Sequence, residues 1–122
     1  MSGMSLPPCP DKPNCVSSQA PDPSHRVPPI AVADAAGAIE RLAALLEGTP
    51  RVSVKSRTAD TLHAVFVTRV LRFRDDLHAE IGTHEGRPVL HVRSASRVGH
   101  SDLGANRRRV EWLRTAMAES PS

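Results

Sequence analysis

Tyrosine is absent from this sequence, phenylalanine occurs twice and tryptophan once, so aromatics are only 2% of the 122 residues. Val, Leu, Ile and Ala must therefore build any core, and base stacking on aromatic platforms, the usual means of gripping single-stranded nucleic acid, has almost nothing to work with. Lysine is scarce too. Lys12 and Lys55 are the only two, so the net charge of +3 comes almost wholly from arginine. Arginine suits planar, bidentate recognition of carboxylate or phosphate. A GC-rich genome would raise arginine, alanine and proline together, but it does not account for their clustering. No stretch approaches the ~20 apolar residues of a membrane span. The opening Met-Ser-Gly-Met-Ser-Leu-Pro-Pro has neither a basic nor an apolar region, so it does not read as a signal peptide. The expectation is one soluble domain with a modest core, cytoplasmic as written, or in the envelope if the true start lies upstream.

Cysteine is limited to Cys9 and Cys15, inside a stretch where proline is abundant. Residues 1–30 hold eight of the eleven prolines and show no apolar periodicity. Those prolines exclude a helix and favour extended or turn backbone, so 1–30 reads as an arm and 31–122 as the compact domain. A Cys9–Cys15 disulfide would close a small ring worth roughly 2–2.5 kcal/mol by loop entropy. Reduced thiols are the alternative in a cytosolic chain. A zinc site would need about four ligands, and only His25 lies nearby.

Beyond the arm the periodicity is clear. Ala33 to Glu47 repeats helically, with Ile39, Leu42 and Leu46 on one face, Asp34 as a cap and Gly48 and Pro50 as the stop. Arg51–Ser56, Asp60–Thr68, Asp75–Gly82 and Val89–Arg97 read as strands, with a turn over Thr83–Pro88. Four consecutive strands with short links predict an antiparallel meander. Leu103 to Glu119 reads as a helix with Leu103, Val110, Leu113 and Met117 on one stripe. Asn106 falls inside that stripe, so it must find hydrogen-bond partners or cost a kcal/mol or more; Arg108 and Trp112 point the other way. The predicted fold is α+β: a single two-layer domain, a four-stranded antiparallel sheet with two helices on one face, and the proline-rich arm.

Polar residues crowd the junction between the last strand and the last helix. Arg93, Ser94, Ser96, Arg97, Gly99, Ser101, Asp102, Gly104, Asn106 and Arg107 lie within fifteen residues. Pairing Ala79 with Val92 would set Leu77 by Ser94 and Asp75 by Ser96 on the core side, and His78 by Arg93 and Glu80 by His91 outside. Three readings follow. In the structural one, Asp75 and Asp76 neutralise Arg93 and Arg97 while Ser96, Ser101 and Asp102 cap the helix, a cap being worth ~1 kcal/mol. In the binding one, free N–H groups at the Gly99–Gly104 turn, with Arg97 and Arg107, receive a phosphate or carboxylate. In the catalytic one, Asp76, His78, Glu80 and His91 form a metal-dependent hydrolase on the outer sheet face. Arg107, Arg108 and Arg109 splay around a helix and offer no single stripe to a nucleic-acid groove.

Three motifs stand together: Cys9-Pro-x-x-Pro-Asn-Cys-Val-Ser-Ser, Phe73-x-Asp-Asp, and Arg-Ser-Ala-Ser-Arg-Val-Gly-x-Ser-Asp-Leu-Gly-x-Asn-Arg-x-Arg from Arg93 to Arg109. In these the chain resembles domain-of-unknown-function family 1499, from Cys9 to about Met117. The resemblance implies no established activity. Many members resemble envelope or organelle-lumen proteins with export or membrane segments not seen in this sequence, which leaves the compartment and the cysteine redox state open. His100 stands where that family more often has an aromatic residue. The expected role is a non-enzymatic binding or structural module without cofactor or nucleic-acid partner. Trp112 is either covered by the arm or an anchor for a protein partner or membrane surface.

Overall fold

A computed structural model describes residues 6–99 and 101–119. In chain order the elements are β1 (Cys15–Ser17), β2 (Ile30–Ala31), α1 (Ala38–Glu47), β3 (Val52–Arg57), β4 (Thr61–Val67), β5 (Arg74–His84), β6 (Arg87–Ser96) and α2 (Ala105–Glu119). The β5–β6 hairpin sets the register. Its turn is two residues, Glu85 and Gly86, with φ of 54° and 79°; two positive values match the twist of the flanking strands. The turn expected over Thr83–Pro88 is thus mostly strand. Ala79 pairs with Val92, Leu77 with Ser94 and Asp75 with Ser96, while His78 faces Arg93 and Glu80 faces His91.

The sheet has six strands rather than the four expected. β3, β4, β5 and β6 form the antiparallel meander, and β1 and β2 both pair with the free edge of β6, at residues 93–95 and 89–90. Proline cannot donate to a ladder, so the arm can pair only where prolines are missing, and Cys15–Ser17 and Ile30–Ala31 are such stretches. Val16 and Ile30 are buried there, as is Val27 in the segment between them. Short arm strands therefore cap an edge that would otherwise be open.

Both helices pack on one sheet face. Ile39, Leu42 and Leu46 from α1 and Val110, Leu113 and Met117 from α2 meet Leu62, Leu77, Leu90 and Val92. Each such side chain contributes roughly 1.5–3 kcal/mol by leaving water. Two helix starts differ from expectation. α1 begins at Ala38 behind Gly37, whose φ of 78° bends the chain in without any side-chain cap, so Asp34 does not cap it. α2 begins at Ala105, and Leu103 stands outside the core stripe with φ 55° and 85% exposure. No described helix is long and apolar enough to cross a membrane.

The arm is held by groups that satisfy its spare carbonyls. Extended proline-rich backbone has no internal hydrogen bonds, and arginines of α2 fill the gap: Arg107 donates to Ser24 O and Arg26 O, Arg114 to Pro28 O and Pro29 O. Cys9 and Cys15 are joined by a disulfide with Cα atoms 5.7 Å apart. Buried His25 bridges the arm's two limbs, with Nε2 2.8 Å from Lys12 O and Nδ1 2.6 Å from Asp22 Oδ2. Both ring nitrogens face acceptors, so the doubly protonated ring is favoured. The Lys12 carbonyl, then the Asp22 carboxylate, raise its pKa above the usual 6.5 against the opposing effect of burial. A raised histidine pKa gives stability that is full below the unfolded value and lost as pH rises through the folded one. The melting temperature should therefore fall as pH is raised from below 6.5 to well above it, and His25→Gln should flatten that fall. An equal slope in both proteins would show that His25 does not clasp the arm.

Candidate functional site

The chain enters the junction along β6, whose alternation turns Ser94 toward α2 while Arg93 faces out. The loop after Arg97 is bent by Gly99, with φ 91°, and Asp102 then starts the helix. Its Oδ1 accepts from Gly104 N at 2.7 Å and its Oδ2 from Asn106 N at 3.1 Å, satisfying two of the amides a helix start leaves without partners. Burial alone would raise the Asp102 pKa, but hydrogen bonds from Asn106 and Gly104 outweigh it and hold the carboxyl below its ordinary value.

Asn106 is the hub. It is fully buried. Its Oδ1 accepts from Ser94 Oγ at 2.6 Å and Arg109 Nη1 at 2.8 Å. Its Nδ2 lies within donating distance of Asp102 Oδ2 at 2.6 Å, Ser96 Oγ at 3.0 Å and Asn14 O at 3.2 Å. One amide thus joins α2, the end of β6 and the arm, since Asn14 also accepts from Ser96 N and donates to Gly99 O.

Arg109, which sequence reasoning left out of the junction, completes the network. It lies three residues after Asn106, on the same helix face, and that spacing was the available signal. Its Nη2 is 2.8 Å from Asp75 Oδ2 and its guanidinium lies 4.6 Å from the centre of the Phe66 ring. Asp75 is 1% exposed, and neither of its oxygens receives a well-aligned hydrogen bond. The contact with Arg109 is therefore an off-axis ion pair held by charge. Asp75 does not pair with Arg93 or Arg97.

Asp76, on the opposite face, does pair with Arg97. Arg97 Nε and Nη2 reach its two oxygens at 2.8 and 3.0 Å, and His63 Nε2 adds a 2.8 Å contact. Arg97 is the main cause of an Asp76 pKa of about 2, with His63 assisting and burial opposing. His63 stacks on His78 at 4.4 Å between ring centres, and burial, then the charges of His63 and Arg93, push the His78 pKa down. Arg93 donates to Pro8 O, His91 Nδ1 meets Ser18 Oγ, and Glu80 accepts from Gln19. Asp76, His78, Glu80 and His91 therefore do not converge. Among the described residues no group of three or more His, Cys, Asp or Glu side chains is arranged to hold a metal ion.

The Gly99–Gly104 turn has little left to offer an anion. Asp102 and Ser101 bind its amides, and Arg97 and Arg107 are turned to Asp76 and to arm carbonyls. His100 lies outside the described residues. On the other side of α2 the situation is reversed. An open depression of about 400 Å³ lies between the helix and the β3–β4 end of the sheet. Trp112 and Phe66 give it apolar walls, and Arg51, Arg69, Arg108 and Arg109 give it charge. Arg51 and Arg69 have no side-chain partner among the described residues. Thr49–Val52, Phe66–Arg69 and α2 itself wall the depression around Trp112, and none of the described arm residues lines it.

A family model described as "Protein of unknown function (DUF1499)" matches residues 5–117. No curated protein and no solved structure matches the chain.

The hub makes a sharp ranking. Asn106→Leu keeps approximate size but takes one hydrogen-bond partner from each of Ser94, Asp102 and Arg109, and should destabilise by about 1–3 kcal/mol. Arg108→Ala, on the exposed face, should change stability by less than ~0.5 kcal/mol. Urea titration of both variants checks the order, and a larger loss for Arg108→Ala would contradict the hub.

Proposed function

The chain belongs to the DUF1499 family of proteins of unknown function, and we propose that it is a non-enzymatic binding module whose ligands are anionic. The ligand site in this reading is the depression beside Trp112 rather than the Gly99–Gly104 turn. One observation carries it: Arg51 and Arg69 stand in the depression with no side-chain partner among the described residues, whereas Arg93, Arg97, Arg107, Arg109 and Arg114 are all bound within the protein. Free guanidinium groups beside aromatic walls suit a planar or tetrahedral anion carrying an apolar portion.

Backbone strain supports the same place. Arg51, Arg72 and Leu103 have φ of 62°, 59° and 55°. A left-handed conformation costs a residue with a Cβ roughly 1–2 kcal/mol, and glycine would avoid the cost. Such strain gathers at functional sites, and these three residues border one end of the molecule. In the junction and outer face Asp75 is paired with Arg109, Asp76 with Arg97 and His63, and His91 with Ser18, which favours binding over catalysis.

Inorganic phosphate tests the reading. An anion at 100 times its dissociation constant stabilises the native state by ~2.7 kcal/mol, so phosphate should raise the melting temperature above chloride at matched ionic strength. Phosphate also salts proteins out, so the comparison is with Arg51→Gln/Arg69→Gln, which should lose the extra increment and keep the general one. Identical increments in both proteins would remove the depression as an anion site.

A further inference from the structure

Among the described residues the large hydrophobic side chains left exposed are Val70, Leu71, Phe73, Val98, Leu103 and Trp112. They come from four separate stretches of sequence that lie at one end of the fold, where β4 and β6 finish and β5 begins. Val70, Leu71 and Phe73 lie between the end of β4 and the start of β5. Val98 follows β6, beyond whose end Arg97 N donates to Arg74 O at the start of β5. Leu103 leads into α2, and Trp112 shares the depression with Val67–Arg69. A scatter of single exposed hydrophobics needs no explanation, but a gathering of them does.

The charge on the β4–β5 loop has one sign. The loop reads Arg69-Val70-Leu71-Arg72-Phe73-Arg74, and the side chains of Arg69, Arg72 and Arg74 have no carboxylate partner among the described residues. The nearest acids are spent, Asp75 on Arg109 and Asp76 on Arg97. Val70 and Leu71 are 83% and 67% exposed and form no part of the depression's wall. Arg72, at φ 59°, holds the loop in its turn.

We infer that this end docks on the surface of an anionic lipid bilayer, with Val70 and Leu71 entering the interface and the flanking arginines meeting phosphate headgroups. The inference rests on the anion-binding reading above and names its ligand as a membrane surface. A protruding apolar tip fits a fluid interface, where a protein partner would have to supply a matching cavity. Arginines flanking such a tip can lay their alkyl stems along the apolar layer and keep their charges among headgroups. Basic residues near an anionic leaflet each add about five-fold to affinity.

Flotation of the full chain with vesicles of phosphatidylcholine, alone or mixed with phosphatidylglycerol, tests this. Binding should require the anionic lipid and weaken as salt rises. Trp112, the only tryptophan, should shift its emission to the blue on binding. Val70→Ser/Leu71→Ser changes only exposed side chains. It should lower vesicle affinity about ten-fold or more while retaining both its melting temperature and its phosphate increment. Arg69→Gln/Arg72→Gln should lose vesicle binding as well. No binding to the anionic vesicles, equal binding to pure phosphatidylcholine, or equal affinity of wild type and Val70→Ser/Leu71→Ser would overturn the inference. A phosphate increment without vesicle binding would leave the anion site standing and remove only the membrane. Vesicle binding without a phosphate increment would support the lipid surface and remove the depression as a separate anion site.

Discussion

A carboxylate, an amide and a guanidinium buried together under α2 hold the rest of this protein in register. Asp75 is removed from water, and Arg109 is the only cation within ion-pair distance of it among the described residues. Arg109 in turn is fixed by Asn106, and Asn106 by Ser94, Ser96, Asp102 and Asn14. Desolvating two charges costs several kcal/mol each, and their attraction repays this only where the geometry is good. The pair is thus weak as a source of net stability and strong as a constraint. Only one placement of α2 on β5 and β6 avoids leaving a buried charge alone.

The same constraint reaches the arm. Asn14 is drawn into the hub from one side, and Arg107 and Arg114 of α2 take arm carbonyls from the other. A proline-rich segment gains little from its own backbone hydrogen bonding, so its order depends on donors supplied by the domain. The preference for arginine over lysine follows in part. A fork of several donors can bridge two successive carbonyls, which a single ammonium does less well. With Arg93, Arg97, Arg107, Arg109 and Arg114 absorbed within the protein, Arg51, Arg69, Arg72 and Arg74 are left at one end of the fold with no side-chain partner among the described residues.

The meander, its register and the phase of α2 were legible from periodicity, because each depends on side chains alternating between water and a core. Ala79 beside Val92 and Asn106 under the helix follow from that alone. The arm strands were not legible. Two and three residues are too short to show a period, and the prolines around them mask the N–H groups that pair. The starts of both helices were misread because backbone bends at Gly37 and Leu103, rather than cap residues and apolar spacing, decide them. The junction was read as a place from the density of its polar residues, and the Asp102 cap and the Asp76–Arg97 pair were read with it, but the partner of Asp75 was not. Asp75 pairs with Arg109, on a helix far along the chain, rather than with the arginines of the neighbouring strand. The basic depression was invisible, since Arg51, Arg69 and Trp112 are brought together only by the packing of α2 on the sheet end.

The arginines thus divide into those that build the fold and those that face outward, and the division turns on Asp75 and Arg109. A double-mutant cycle measures it most directly, comparing unfolding free energies of wild type, Asp75→Leu, Arg109→Met and the double variant. Either single change leaves an uncompensated buried charge and should cost about 3–5 kcal/mol. The double variant leaves none, so it should cost less than the sum of the singles by at least ~1.5 kcal/mol. Single costs that add to within ~0.5 kcal/mol would mean that the two groups do not depend on each other, and would contradict the account.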